Sequence, residues 1–137
     1  MTPPAIAAAT VRDVTMRFRG HTALEGVSTV IERDTITGLL GRNGAGKTTL
    51  MQLLTGHRLP TSGSVEVLGG APYENEGVLS RICFVKEGQR YPDHFRVRDT
   101  LDAAALVYPA WDADLAATCC ATSTCRSSGP SRSSRAA

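Results

Sequence analysis

The chain has 137 residues, 42% of them hydrophobic and 20% charged, with a mean hydropathy of −0.11. These values fit one soluble globular domain, and the longest apolar stretches, residues 36–40 and 101–109, are too short to span a bilayer. The net charge of +2 depends on Arg126, Arg132 and Arg135, in a C-terminal stretch without acids. Without those three, acids outnumber bases by one, so no basic body suited to nucleic acid is present and no direct nucleic-acid partner is expected.

In chain order, Met1-Thr2-Pro3-Pro4-Ala5-Ile6 has no basic region leading into an apolar one, so a secretory signal is not expected and the cytoplasm is the expected setting. Residues 10–18 alternate Val11, Val14, Met16 and Phe18 with polar side chains and predict a strand. Residues 27–32 predict a second strand, closed by a turn at Arg33-Asp34. Residues 35–40 (TITGLL) are β-rich and apolar, and predict a buried strand running into a glycine loop. Residues 47–55 predict a helix with Gly56 as its C-terminal cap. A turn at Pro60-Thr61-Ser62-Gly63, a strand over 64–68, a turn at Gly69-Gly70, a short helix over 74–80 and a strand over 81–85 follow. Residues 97–108 predict a helix, and 111–118 begin another with Asp112 and Asp114 in its first turn.

After Thr118 the composition changes. Residues 119–137 contain no Leu, Ile, Val, Phe or Met and cannot bury enough apolar surface to offset their ordering entropy, so disorder is expected there. The expected organisation is therefore a body over 1–118 and a tail over 119–137. Cys119, Cys120 and Cys125 lie in this tail, at a spacing that fits no standard metal-ligand pattern.

The chemistry sits in Gly41-Arg42-Asn43-Gly44-Ala45-Gly46-Lys47-Thr48-Thr49. A strand, then G-x-x-x-x-G-K-T, then a helix is the setting of a phosphate-binding P-loop. Glycines let the backbone curl round a phosphate and present its N–H groups unobstructed. The helix beginning near Lys47 adds the positive end of its dipole. In such a loop Lys47 reaches the β- and γ-phosphates, Thr48 offers its hydroxyl to Mg²⁺, and Thr49 bonds the α-phosphate. Arg42 either approaches phosphate or faces solvent. His21, His57 and His94 are scattered, and neither a Gly-x-Ser-x-Gly elbow nor a guanine-reading Asn-Lys-x-Asp motif occurs.

The segment from Leu39 to Leu50, followed by Leu54-Thr55-Gly56-His57-Arg58-Leu59-Pro60-Thr61-Ser62-Gly63-Ser64-Val65, resembles the ATP-binding domains of ABC transporters, and the resemblance covers about residues 10–118. It implies an α/β P-loop NTPase fold of the ABC ATPase type, with an antiparallel β portion near the N-terminus. It also implies ATP and Mg²⁺ as cofactors, a transmembrane permease and a second ABC subunit as partners, and a place at the inner face of the plasma membrane. Phe18 falls where the family has an aromatic that stacks on adenine, although the Val14/Met16/Phe18 alternation fits a core-facing residue equally well. Glu87 falls where the family has its Q-loop glutamine, with Gln89 two residues on. Glu87 is read either as a group that ligates Mg²⁺ or orients water, or as a solvated loop acid. The stretch Phe84 to Pro92 resembles bacterial exporter-type ATPases.

The family's Leu-Ser-Gly-Gly-Gln-type signature, its Asp-Glu-ending Walker B strand and its switch histidine do not occur in these 137 residues. The expected chain is thus a truncated ABC ATPase, without the groups that turn binding into hydrolysis, and with uncovered apolar surface that favours aggregation. The genetic code suggests a cause. In a neighbouring reading frame, the codons of residues 119–137 permit the string LLRDFDLPLxRPVKKLSRG. Its first part continues the helix begun near Trp111, and its end resembles the signature region. A natural low-complexity tail is the competing reading. A soluble ABC protein acting on ribosomes or DNA would be favoured by tandem P-loops and a basic surface, neither of which is seen, and a non-catalytic remnant is a further reading.

Overall fold

The computed structural model describes residues 7–86, 88–92 and 94–122. The chain divides into two units, Met1–Cys83 and Phe84–Ala137. In the first, β1 (Ala7–Phe18) pairs antiparallel with β2 (His21–Glu32) on one side and with β3 (Ser62–Val67) on the other, giving the order β2-β1-β3. The inward residues of β1 are Ala9, Val11, Val14 and Met16. The step from Val11 to Val14 breaks the period of two, and a bulge there, with Asp13 at φ 48, lets both valines face the core. β3 crosses close to this bulge. A Cβ on Gly63, at φ 83, would run into the Asp13 and Arg12 carbonyl oxygens, so this crossing requires glycine.

Helix α1 (Lys47–Leu54) lies against the sheet through Leu50 and Leu53, which share one face at a spacing of three. Leu53 is 1% exposed and joins Val11, Val14, Met16, Leu24, Val65 and Val67 in the core. The helix ends as its glycine predicts: Gly56, at φ 70, donates to the Leu53 carbonyl at 3.2 Å and His57 to the Gln52 carbonyl at 2.9 Å. After β3 a tight turn with φ 52 at Leu68 and φ 88 at Gly69 reverses the chain, and reciprocal bonds join Val67 and Gly70. The short α2 (Glu76–Leu79) sets Val78 into the same core.

The second unit contains α3 (Val97–Val107) and α4 (Ala113–Thr122), which touch one another. Asp99 accepts the Arg96 N–H at 2.7 Å and Asp112 accepts the Leu115 N–H at 2.8 Å, so each helix starts on a carboxylate that satisfies a first-turn donor. Helix α4 continues through Cys119 and Cys120 to Thr122, past the composition break at Thr118, and residues 123–137 lie outside the described residues.

Two expected strands do not form. Residues 35–40 run without secondary structure, with Ile36 and Leu40 fully or almost fully exposed, and residues 81–85 are likewise irregular. The first reads as a buried strand and the second as a strand, and a strand needs hydrogen-bonded neighbours and, where buried, cover on its faces. The three described strands form an antiparallel sheet that offers them neither.

The packing sets a sharp contrast. Leu53→Ala removes the most deeply buried side chain of α1 and costs about 2–5 kcal/mol, whereas Ile36→Ala stays within about 0.5 kcal/mol. Denaturant midpoints measure both, and an equal loss in the two variants would show residues 35–40 packed in a core.

Candidate functional site

Residues 41–49 close a loop between the irregular segment 35–40 and α1. Lys47 stands at the first position of α1 and turns its side chain back across the loop. Its Nζ donates to the Gly41 carbonyl at 2.6 Å and to the Arg42 carbonyl at 2.8 Å. An ammonium has three N–H groups, so this holds the loop's entrance while leaving a donor to offer. The Arg42 carbonyl also accepts the Ala45 N–H at 3.1 Å, which tightens the curl at Asn43 and Gly44. The Arg42 and Asn43 side chains are exposed.

Gly46 is the residue on which the cradle turns. It takes a left-handed conformation, φ 87, and caps α1 without any side-chain hydrogen bond. A Cβ there would lie 2.5 Å from the Ala23 carbonyl oxygen and 2.7 Å from Leu24 Cδ2. The loop thus seats directly on the start of β2. The pairing shifts between Met16↔Leu24 and Arg17↔Thr22, leaving Ala23 as an extra residue on β2 at that seat. The Leu50 N–H to Gly46 carbonyl bond of 2.9 Å is the first turn's closing bond. The N–H groups of Lys47, Thr48 and Thr49 precede it and have no partner within the helix. These donors, the Lys47 ammonium and the exposed Thr48 hydroxyl form a set suited to a polyphosphate with a bound divalent cation.

Phe18 ends β1 opposite His21, half-buried against the core margin. Met16, two residues earlier, pairs with Leu24, which touches Gly46, so Phe18 stands on the same end of the β1–β2 hairpin as the loop. The core-facing and base-stacking readings of Phe18 therefore share one geometry, since a half-buried ring is anchored and still open in part. Gln89 lies in the second unit, exposed, with its backbone N–H on the Lys86 carbonyl at 3.3 Å. Glu87 lies outside the described residues. No cluster of His, Cys, Asp and Glu suited to holding a metal occurs among the described residues.

Two features of the site carry no sequence signal. The seat of Gly46 on Ala23 and Leu24 depends on a bulge that residues 21–24 do not announce. Arg58 lies within the segment that carries the family resemblance but has no role assigned from sequence, yet its guanidinium carbon lies 5.0 Å from the Phe18 ring centroid.

Comparison with known proteins agrees with this geometry. The family model described as ABC transporter matches residues 24–129, more than half of the chain. A phosphonates import ATP-binding protein of Natronomonas pharaonis is 34% identical over 101 residues, 74% of this chain and 42% of that protein. The ABC transporter ATP-binding protein YtrB of Bacillus subtilis is 29% identical over 102 residues, 74% of this chain and 35% of that protein. A solved ATP-binding subunit of an ABC transporter shares the fold at a TM-score of 0.70 and 23% identity, over 80% of this chain and 46% of that one. A putative ABC transporter ATP-binding protein from Pyrococcus furiosus gives a TM-score of 0.61 at 28% identity, over 72% of this chain and 48% of that one. The chain spans less than half the length of each of these relatives. A P-loop seated on an antiparallel β portion, together with a family match over most of its length, makes this chain a member of the ABC transporter ATP-binding family.

Proposed function

We propose that this chain is the nucleotide-binding portion of an ABC transporter's ATP-binding subunit, and that it binds ATP and Mg²⁺ without turning them over on its own. The observation that carries this reading is the donor set at the head of α1. Lys47 reaches across the loop, and three first-turn N–H groups have no helical partner. The Lys47 ammonium would exchange its two carbonyl contacts for β- and γ-phosphate oxygens. The glycine backbone would wrap the β-phosphate, Thr48 would offer its hydroxyl to Mg²⁺, and Thr49 would bond the α-phosphate. Bound Mg²⁺ supplies neutralisation of phosphate charge. Phe18 would take the adenine, while Glu87, at the family's Q-loop position in the sequence, or Gln89 two residues on would be candidates to meet the cation.

Hydrolysis requires more than a cradle. It requires the Asp-Glu pair that ends a Walker B strand, to hold the metal and polarise water, and a second subunit's signature to close over the nucleotide, and neither motif occurs in the 137 residues. The partners of the complete machine would be a permease and a second ATP-binding subunit at the inner face of the membrane. No helix among the described residues is long and apolar enough to cross a membrane itself.

The composition break after Thr118 is read as a change of reading frame. The hidden string continues a helix and ends on a signature-like KLSRG, the element the family places next. The family match extends to residue 129, so the break is not a sharp end of similarity.

Titration of the chain with Mg-ATP, followed by NMR shifts of the loop amides, is expected to show weak binding that Lys47→Ala reduces about 10–100-fold through loss of a charge-assisted contact. Turnover is expected to be negligible, and robust ATPase activity abolished by Lys47→Ala would overturn the reading of missing catalytic groups. The gene's nucleotide sequence tests the tail directly. A single-base shift near codon 119 is expected to open a frame encoding an LSRG-like segment and a later Asp-Glu pair, and the absence of any such frame refutes the frameshift.

A further inference from the structure

Phe18 is half-buried at the end of β1, and the guanidinium carbon of Arg58 lies 5.0 Å from its ring centroid. Arg58 is itself held, because its Nε donates to Gln52 Oε1 at 2.8 Å. Gln52 stands on α1, the helix that opens with Lys47. The chain carrying Arg58 is fastened to β1 by two further bonds nearby. The Thr61 N–H donates to the Thr15 carbonyl at 2.9 Å, and the Arg17 N–H donates to Thr61 Oγ1 at 3.0 Å. Ring, guanidinium, amide and phosphate-loop helix therefore form one connected chain of contacts.

We propose that Arg58 is a positioning residue for the nucleotide's base: it fixes the attitude of the Phe18 ring and, through Gln52, ties that ring to α1. The inference rests on reading Phe18 as the base platform. Its physical content is preorganisation. A ring at a strand end otherwise loses rotamer freedom when a base stacks on it, and that loss subtracts from affinity. Arginine suits the task because its planar group lies over a ring while its Nε keeps a hydrogen bond in the same plane. Lysine keeps the charge but has no Nε donor for Gln52. The aromatic platform and the phosphate cradle are then set relative to one another before the ligand arrives, which favours a nucleoside triphosphate over a bare polyphosphate.

The test compares Mg-ATP with Mg-tripolyphosphate, which has no base, in NMR titrations of the 137-residue chain. Arg58→Ala is expected to lower the ratio of ATP to tripolyphosphate affinity about two- to fivefold, in line with an exposed cation–π contact, and to leave tripolyphosphate unaffected. Gln52→Ala and Arg58→Lys lower the ratio in the same sense. Phe18→Ala lowers it at least as far, and adding Arg58→Ala to Phe18→Ala changes nothing more, because the two act through one contact. Equal affinity for ATP and tripolyphosphate in the unaltered chain, including none for either, overturns the platform reading and the role of Arg58 together. A Phe18→Ala effect without an Arg58→Ala effect overturns the role of Arg58 alone. A second measurement needs no ligand. The Arg58 Nε–H resonance is expected upfield from the ring current and moves downfield in Phe18→Leu, and an unshifted resonance overturns the proposal.

Discussion

The phosphate loop owes its shape to the seating of α1 on the three-stranded sheet. Leu50 and Leu53 enter a core built from Val11, Val14, Met16, Leu24 and Val65, and burying two leucines stabilises that contact by about 2 kcal/mol each. Gly46 closes onto the Ala23 carbonyl only because the helix behind it is held at that height. The loop's own bonds, Lys47 to two carbonyls and Ala45 to Arg42, are short-range and exposed. They refine a curl whose far end is fixed by apolar packing. The helical end of the cradle is thus a consequence of the sheet, and the sheet depends on the bulge at Asp13 that turns both Val11 and Val14 inward.

The other end of the loop has no such anchor. Residues 35–40 enter it without a strand, and Ile36 and Leu40 meet solvent. In a parallel P-loop sheet this segment would be pinned by neighbours on both sides. The same asymmetry recurs in residues 81–85 and on α3 and α4, where Val85, Leu106 and Leu115 are exposed. Among the described residues no element covers these apolar side chains.

This explains which parts of the structure could be read from the sequence. The helix from Lys47, its glycine cap, the turn at Gly69 and the acid-capped start of α4 are local, each set by residues within a few positions of one another. Segments 35–40 and 81–85 have strand composition, but a strand exists only with partners, and composition carries no information about whether they are present. The bulge at Asp13 left a trace, the three-residue step from Val11 to Val14, which simple alternation passes over. The continuation of α4 through Cys119 and Cys120 ran against an expectation based on apolar content, because short helical ends need little apolar burial when the preceding turns already fix the axis. The contact of Arg58 with Phe18 left no trace in the sequence. Arg58 reaches Phe18 only because Thr61 pairs with Thr15, a contact between residues far apart in the chain.

A half-anchored cradle has a thermodynamic consequence for binding. Ordering the backbone costs roughly 1–2 kcal/mol per residue. In a complete sheet the segment before Gly41 is ordered by strand pairing when the domain folds. Here any ordering of residues 35–42 that a triphosphate demands is drawn from the binding energy itself. A few residues of such ordering equal several kcal/mol, and each 1.4 kcal/mol is a factor of ten in affinity. The donor set at α1 can therefore be chemically complete and still bind weakly. On the proposed reading, phosphate recognition would fall to residues 41–49, and its strength would depend on strands flanking residues 35–40.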